Sequence, residues 1–598
     1  MKQGCVSLAI GFAISIAGVL LTAQVPTLPQ GAAQPGPPMP RVQMPPRDGA
    51  QADAPTGTAR IRGRVVSADT GAPLRRAQVR INASEVRVTR TVNTDAEGRF
   101  EVADLPAGRY FLMVGRNGYV SLQFGQQRPF EPGRPLVITD GQVLDRIDFA
   151  LPRGSVISGR VTDELGEPVA GVRMQAMRYR YLPGGERQLV SANIGGSFNM
   201  VTNDLGEFRV FGLMPGSYVV SANPDDGGMM SIGGGVMPGN LSAGDAEGFA
   251  TTYYPGTLNP EQAESITVGI ADVANVSFAL STARLTRING MVRNSQGRPL
   301  SAARLALRSR TPAGGGFMRG LPPLGPDGQF SIAGVPPGDY SLDVMPVPPG
   351  MLGSSAGPEL DEVASVPVTA GGRDITDLVI TTTPGAALSG RVVYQGTTQS
   401  GRAGRVVAQS AERGGMSVMF RATGDNGLID ANGRFQIRGV IGRTLLRTMP
   451  LTPGPSPGWG LKSVTLNGAD ITDMPLDVTS LGDVTGIEVT LTDTITTISG
   501  SVTNSQRQPV KDYVVVILPA GLRDGVQPER YTRTARPDQE GRFQIRGMPT
   551  GDFLAVALAS LEDGHEWDPA FRKQIEPVAK RFRLTETQTA MLDLHLPQ

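Results

Sequence analysis

The chain has 598 residues, enough for three to six domains of ordinary size. Gly (77) and Pro (48) together make up about a fifth of it, yet 39% of the residues are hydrophobic, which argues against both a disordered chain and a helical bundle. The formal net charge of +1 argues against a nucleic-acid binder, because such proteins need an excess of Lys and Arg to neutralise phosphates.

The N-terminus predicts a signal peptide over residues 1–23. Lys2 precedes an uncharged apolar stretch from Val6 to Ala23, and the small residue Ala23 suits a cleavage site. The same stretch is just long enough to be retained as an N-terminal membrane anchor, which would be the only membrane contact. In either case we expect an extracytoplasmic protein: periplasmic, on the outer surface or secreted. Cys5 lies before the cleavage site, so the mature chain would have no cysteine.

Residues 24–59 are predicted to be a disordered, Pro-rich linker. Nine of these 36 residues are Pro, and large apolar side chains are almost lacking. Such a segment cannot bury enough apolar surface to offset its conformational entropy, and proline keeps it extended.

Five copies of one pattern fill the rest of the chain. Each copy opens with a strand of the form apolar-x-Gly, and successive copies begin 96, 131, 100 and 110 residues apart. Repeats of this size are whole domains rather than solenoid units. The five openings begin at Ile61, Ile157, Ile288, Leu388 and Ile498.

A turn rich in Asp and Gly leads into a Phe in the middle of each copy, which predicts a hairpin turn before a strand. A second large apolar residue follows ten residues later in all five copies. A spacing that never changes indicates a fixed hairpin in the scaffold. The pairs are Phe100 and Tyr110, Phe208 and Tyr218, Phe330 and Tyr340, Phe435 and Leu445, and Phe543 and Phe553.

Each copy closes on a strand with apolar residues at alternate positions, as in Ile147-Phe149-Leu151, which predicts a sheet with one buried face. We therefore predict an all-β protein, a tandem array of five antiparallel seven-stranded β-sandwiches. Because only six to eight residues join neighbouring copies, we expect a semi-rigid rod. The predicted domains are 60–152; 156–282, with a Gly/Met-rich insertion at 225–248; 287–383; 387–493, which is divergent; and 497–598, with a short helix near 569–576.

The repeat resembles the carboxypeptidase regulatory-like domain, a prealbumin-like sandwich grouped with starch-binding-like folds. The resemblance lies in the Gly-x-Pro-Val/Leu element, as in Gly166-Glu167-Pro168-Val169, and in the Asp-x-x-Gly-x-Phe and Pro-x-Gly-x-Tyr motifs that follow it. It implies a fold and not an activity, because these domains are usually appendages of larger proteins.

The sequence predicts no catalytic, cofactor-binding or metal-binding residues and no cofactor. Zinc carboxypeptidases use a His-x-x-Glu pair and a distant His, whereas the two histidines here, His565 and His595, have no Glu three residues on. The cluster Asp425-Asn426-Gly427 and Asp430-Ala431-Asn432-Gly433 could be proposed as a calcium site. Calcium needs six to eight oxygen ligands, so a hairpin turn is favoured there.

The sequence favours a non-enzymatic structural, adhesion or scaffold protein of the bacterial envelope, with an unknown protein or polysaccharide partner. The alternative is a carbohydrate-binding array, for which Tyr253-Tyr254 and Tyr179 with Tyr181 are the candidate stacking rings. A hydrolase without a recognised motif comes third.

Overall fold

The structure is a computed structural model, and it describes residues 56–83, 86, 88–192, 200–224, 247–301, 303–310, 318–320, 324–346, 362–398, 404–411, 426–450, 459–586 and 589–596. The predicted signal peptide, most of the predicted linker and nearly all of the predicted 225–248 insertion lie outside these residues. The end of the predicted linker is ordered. Gly57 donates its N–H to Asp104 O at 3.2 Å, and Ala59 is buried at the start of the first strand.

Among the described residues, five large hydrophobic cores follow one another along the chain, each drawn from one copy of the repeat. Their residues fall within 59–151, 157–280, 288–380, 386–491 and 498–594. We call the segments that contain them units 1 to 5. Short strands with alternating burial supply each core, as the period-two pattern predicts.

The strands of unit 1 are β1 (Ala59–Ser67), β2 (Gln78–Ala83), β3 (Val88–Asn93), β4 (Arg99–Leu105), β5 (Gly108–Gly115), β6 (Leu122–Gln123), β7 (Leu136–Ile138), β8 (Val143–Leu144) and β9 (Phe149–Leu151). Those of unit 2 and its joint to unit 3 are β10 (Ser155–Thr162), β11 (Arg173–Tyr181), β12 (Arg187–Ser191), β13 (Glu207–Leu213), β14 (Gly216–Asn223), β15 (Glu247–Phe249), β16 (Thr252–Tyr253), β17 (Ile266–Val268), β18 (Val273–Asn275), β19 (Phe278–Ala279) and β20 (Thr282–Arg284).

Unit 3 has the strands β21 (Thr286–Arg293), β22 (Ala303–Ser309), β23 (Met318–Gly320), β24 (Gln329–Val335), β25 (Gly338–Pro346), β26 (Ala364–Ala370) and β27 (Ile375–Thr381). Unit 4 has β28 (Ala386–Gln395), β29 (Gly404–Ser410), β30 (Arg434–Val440), β31 (Arg443–Pro450), β32 (Gly460–Leu466), β33 (Ala469–Asp470), β34 (Leu476–Asp477) and β35 (Val484–Thr492), with helix α1 (Val478–Leu481). Unit 5 has β36 (Thr497–Thr503), β37 (Pro509–Val510), β38 (Val514–Pro519), β39 (Arg533–Ala535), β40 (Arg542–Arg546), β41 (Gly551–Leu558), β42 (Lys580–Leu584) and β43 (Thr589–His595), with helix α2 (Pro569–Ile575).

Each unit has two main sheets, as in a β-sandwich, and the opening strand is an inner strand of the first, with a neighbour on each side. In unit 1, β1 pairs antiparallel with β4 and parallel with β8 and β9. In unit 5, β36 likewise pairs antiparallel with β40 and parallel with β43. The predicted all-β fold of antiparallel sandwiches is confirmed, and the closing strand adds a parallel pair to the first sheet. The chain builds the second sheet before it returns to the first, and such a crossover allows parallel pairing.

The glycine of each apolar-x-Gly motif lies inside the opening strand. A Cβ added there would lie only 1.6–2.2 Å from a carbonyl oxygen of the closing segment, so only glycine permits this close approach. The repeated glycine thus marks where two strands meet rather than where one ends. The pairs are Gly63 with Ile147 O, Gly159 with Val276 O, Gly290 with Leu378 O, Gly390 with Ile487 O and Gly500 with Leu592 O.

The tyrosine ten residues after the Phe is buried in the core of units 1 to 3, and its hydroxyl binds the turn that precedes its strand. In units 1 to 3 its hydroxyl donates to the main-chain carbonyl four residues earlier: Tyr110 to Pro106 at 2.6 Å, Tyr218 to Met214 at 2.6 Å and Tyr340 to Pro336 at 3.0 Å. Burial raises the pKa of Tyr110 to about 12 and also raises that of Tyr218.

The expectation of a rod is wrong, because unit 5 contacts units 1 and 2 as well as unit 4. Arg128 of unit 1 donates to Ala559 O of unit 5 at 3.1 Å, and Arg178 of unit 2 pairs with Glu562 of unit 5 at 2.6 Å. Short joints limit bending, but they do not keep successive units in line, so the last unit can lie against the first two.

Candidate functional site

The contacts that unit 5 makes with units 1 and 2 are the most distinctive site in the described residues, and a buried arginine lies at their centre. Arg536 follows β39 and is 3% exposed. Its guanidinium pairs with Glu131 of unit 1, which is 4% exposed, and with Asp512 Oδ1 of unit 5 at 2.6 Å. Because a charge in this environment is stable only when paired, the three groups lock the two units together.

The hairpin turn of unit 5 contacts the edge of β7. The Gln539 side chain accepts the Val137 N–H at 3.0 Å and donates to the Val137 carbonyl at 2.7 Å, as a neighbouring strand would. Asp538 in the same turn accepts the N–H groups of Glu540 and Arg542 at 3.0 and 2.9 Å. One turn therefore fixes its own geometry and binds unit 1.

Arg134 of unit 1 reaches the backbone of the same turn. It donates to Pro537 O at 3.2 Å and to Asp538 O at 2.6 Å. Burial lowers the pKa of this guanidinium, and the charge of Arg536 lowers it further. The two carbonyl acceptors satisfy donors that are removed from water.

Phe130 lies where units 1, 2 and 5 meet. Its carbonyl accepts the N–H of Asp563 at 3.1 Å, and its ring packs edge-on against Tyr218 of unit 2, with the centroids 6.2 Å apart. The Arg178 guanidinium lies 4.2 Å from the Phe130 ring centroid while it pairs with Glu562. Burial lowers the pKa of Arg178, and the charges of Glu562 and Asp563 partly restore it.

A second ion pair and a helix complete the contact with unit 2. Arg180 pairs with Asp563 at 2.9 Å, and Pro569 at the start of α2 lies against Gly185 in the loop between β11 and β12. Asp568 caps α2 by accepting the Ala570 N–H at 2.8 Å.

Units 4 and 5 also meet through charged groups. The Asp473 carboxylate of unit 4 is buried and accepts hydrogen bonds from Arg447 of its own unit and Arg530 of unit 5, each at 2.9 Å. Arg530 also donates to Leu461 O at 2.6 Å, and Lys462 pairs with Glu586 at 2.9 Å near the surface.

The chemistry of these contacts is that of recognition. Guanidinium–carboxylate pairs are strong and directional, but neither partner is a poised nucleophile. Among the described residues, no group of three or more His, Cys, Asp or Glu side chains is placed to hold a metal ion. Likewise, no helix of the described part is long and apolar enough to cross a membrane.

The two histidines occupy different places in unit 5. His565 Nε2 lies 3.4 Å from Asp568 Oδ2, and its ring stacks on Phe571 with the centroids 4.6 Å apart. His595 Nδ1 lies 2.6 Å from Thr503 Oγ1 and borders a cleft of about 270 Å³ that Lys580 and Asp593 also line.

The Asp-rich turns are hairpin turns, as predicted. In four units the first side chain of the turn accepts the N–H four residues later at 2.7–2.9 Å; these residues are Asp95, Asn203, Asp430 and Asp538. In unit 2 this residue is Asn203 rather than the expected Asp204. Asp425, the first member of the suggested calcium cluster, lies outside the described residues.

The tyrosines suggested for sugar stacking are largely built into unit 2. Tyr253 is 6% exposed in a cluster with Met177, and Tyr254 packs edge-on against Phe278 at 5.9 Å. Arg187 covers the Tyr179 ring at 3.9 Å, and Tyr181 is half-buried. The expectation that Tyr253 offers a stacking surface is therefore wrong.

Comparison with known protein families gives a match for one copy of the repeat. Residues 60–152 match the model of the carboxypeptidase regulatory-like domain. The match covers unit 1, so the predicted resemblance is confirmed there. No curated protein matches the chain.

Several solved structures are similar over part of the chain. A streptococcal ancillary pilin is 13% identical, with the match covering 54% of this chain and 98% of the pilin at a TM-score of 0.20. The major pilin subunit of Bacillus cereus is 12% identical over 55% and 99% of the two chains, with a TM-score of 0.14. A 3-chlorocatechol 1,2-dioxygenase from Rhodococcus opacus is 17% identical over 12% and 44%, with a TM-score of 0.10. No property of these proteins is carried over at such TM-scores.

Sequence reasoning missed every residue that joins the carboxypeptidase regulatory-like unit to unit 5. One signal was available: Gln539 stands at the second position of its turn, where the other units have Ala96, Asp204, Pro326 and Ala431. The amide of Gln539 can donate and accept at once, which suits it to binding a strand edge.

Proposed function

We propose that this protein is a non-enzymatic, extracytoplasmic structural protein of the bacterial envelope, built from five carboxypeptidase regulatory-like units and serving as a scaffold or adhesion module. The observation that carries the proposal is the docking of unit 5 onto units 1 and 2 by buried charged groups, led by Arg536 with Glu131 and Asp512. The charged groups of these contacts hold domains together, and no reactive group is found among them. This arrangement suits a protein with a structural role.

The proposed localisation is tested by cell fractionation. The full chain with a C-terminal epitope is expressed in a bacterium and fractionated, and whole cells are treated with protease. We expect an extracytoplasmic protein shortened at its N-terminus near residue 23, or one of full length held in the membrane by that segment. A matched variant that lacks residues 2–23 should stay in the cytoplasm. Equal cytoplasmic retention of both forms would contradict the proposal.

A scaffold should also be inert. The purified chain should hydrolyse no peptide or ester substrate above the rate of the variant His595→Ala, which removes the imidazole that borders the unit 5 cleft. Turnover that this substitution abolishes would favour the hydrolase alternative.

A further inference from the structure

The surface of units 1 and 2 that receives unit 5 is rich in arginine, and the opposing surface of unit 5 offers mainly acceptors; Arg536 of unit 5, which pairs with Glu131 of unit 1, is the exception. We call the five arginines that donate hydrogen bonds to unit 5 the docking surface; they are Arg109, Arg128, Arg134, Arg178 and Arg180. Their acceptors are main-chain carbonyls and the carboxylates of Glu562 and Asp563. The two surfaces are thus complementary in charge and chemically different from each other.

The docked contact leaves the hydrophobic cores of unit 5 complete. Its main core and the smaller cluster on the outer face of β38 and β41 consist entirely of unit 5 residues. Among the described residues, Phe130 is the one apolar side chain of unit 1 that packs on the core of another unit, and that core belongs to unit 2. Unit 5 can therefore leave the docking surface without exposing a core, as is usual for polar contacts between domains.

We propose that the docking surface also accepts unit 5 of a second copy of the chain, so that copies join head to tail. This rests on the proposed structural role. Because the two surfaces differ, the contact between copies is heterologous, and its repetition gives a ring or an open chain of copies. Docking within one chain is favoured while free chains are dilute. Docking between chains takes over when their concentration approaches the effective concentration that the intervening units set.

A disulfide can report the docked contact without removing any of its ion pairs. A Cβ added to Gly185 lies 3.0 Å from Pro569 Cγ, so the side chains of Gly185→Cys and Pro569→Cys would face each other across the docked contact, with Gly185→Cys a strained substitution because φ is +80° there. The only native cysteine is Cys5, and Cys5→Ser removes it from every variant. Two full chains, one with Gly185→Cys and one with Pro569→Cys, are mixed, taken through high salt to weaken the ion pairs, returned to low salt and oxidised.

We expect a cross-linked heterodimer whose yield rises with protein concentration and exceeds the control several-fold. The control pairs Pro569→Cys with Thr70→Cys, which lies on an exposed turn of unit 1. A yield no higher than the control at any concentration would overturn exchange between copies.

Two further measurements keep the result interpretable. A single chain carrying both Gly185→Cys and Pro569→Cys should form the disulfide within itself, and its failure to do so would overturn the docked contact and the proposal with it.

Light scattering on the Cys5→Ser chain before and after the salt cycle needs no substitution at the interface. A strictly monomeric mass at all concentrations would also overturn the proposal. Neither result bears on where fractionation places the protein, so the proposed extracytoplasmic role can stand or fall separately.

Discussion

The interior of each unit and the contacts between units are built on opposite principles. The interiors are apolar and repetitive, with the same glycine and hairpin in all five copies and a large apolar residue ten positions after the Phe. The contacts of unit 5 are charged and occur once, as in the pairing of Arg536 with Glu131. The repeated residues thus make each sandwich, and single unrepeated residues decide which sandwiches touch.

The largest effect is expected from Arg536→Ala, which should weaken the docking of unit 5 without unfolding any unit. Arg536→Ala leaves the Glu131 and Asp512 carboxylates without their shared partner, so it should weaken docking by about 3–5 kcal/mol while the five cores stay folded. Hydrogen exchange followed by mass spectrometry should show the loss at the docked contact, around residues 125–138, 536–541 and 559–569, and not in β1 or β36. Arg542→Ala removes a pair that spans 4.0 Å and whose arginine side chain is 71% exposed, and it should cost less than about 1 kcal/mol. Equal effects of the two variants would break the comparison.

Gly159→Ala should have the opposite effect, because it destabilises the interior of unit 2 directly. The added methyl would lie 1.6 Å from Val276 O, so β10 and the closing segment must separate, at a cost of about 2–3 kcal/mol. Chemical denaturation with proteolytic mapping should show unit 2 unfolding first. Gly184→Ala in the same unit meets open space and serves as the control. Unchanged unfolding of unit 2 in Gly159→Ala would refute the reason given for the repeated glycine.

A smaller effect is expected from Tyr218→Phe, which removes one buried hydrogen bond from a unit interior. Loss of the 2.6 Å bond to Met214 O should lower the stability of unit 2 by about 1 kcal/mol. The ring and its contact with Phe130 remain, so docking of unit 5 should not change. Weaker docking in this variant would mean that interiors and contacts are coupled.

The smallest effect is expected from Lys462→Ala at the junction of units 4 and 5. The Lys462–Glu586 pair is 2.9 Å long, but its side chains are 32% and 62% exposed. Water and salt screen such a pair, so its removal should change stability by less than about 0.5 kcal/mol in thermal denaturation. A larger loss would show that exposed contacts matter as much as buried ones.

Much of the sandwich could be predicted, because a repeated scaffold leaves a periodic signal. The alternation of apolar residues predicted the strands, and Asp568-Pro569 predicted a helix near 569–576, where α2 occupies Pro569–Ile575. The docking of unit 5 could not be predicted in this way. Its partners are single residues such as Val137 and Gln539, which lie 402 positions apart and form no pattern. The rod was inferred from the length of the joints, which limits flexibility but does not fix direction.

Parallel pairing of the closing strand could not be predicted either. The alternation of apolar residues shows which face of a strand is buried, but it does not show the direction of the neighbouring strand. The burial of Tyr253 could not be predicted for a similar reason. It stands outside the repeated positions, and a local sequence does not show that β14 lies beside it.

The Gln539 side chain has a further consequence for the life of the protein before it is complete. Strand β7 presents one edge to β5, and the N–H and carbonyl of Val137 on its other edge are bound only when Gln539 arrives. During synthesis the first unit is complete long before residue 539 emerges, so that edge is open to any extended peptide nearby. The last unit thus covers this edge of the first, and we expect chains that end before residue 539 to aggregate more readily than the whole chain.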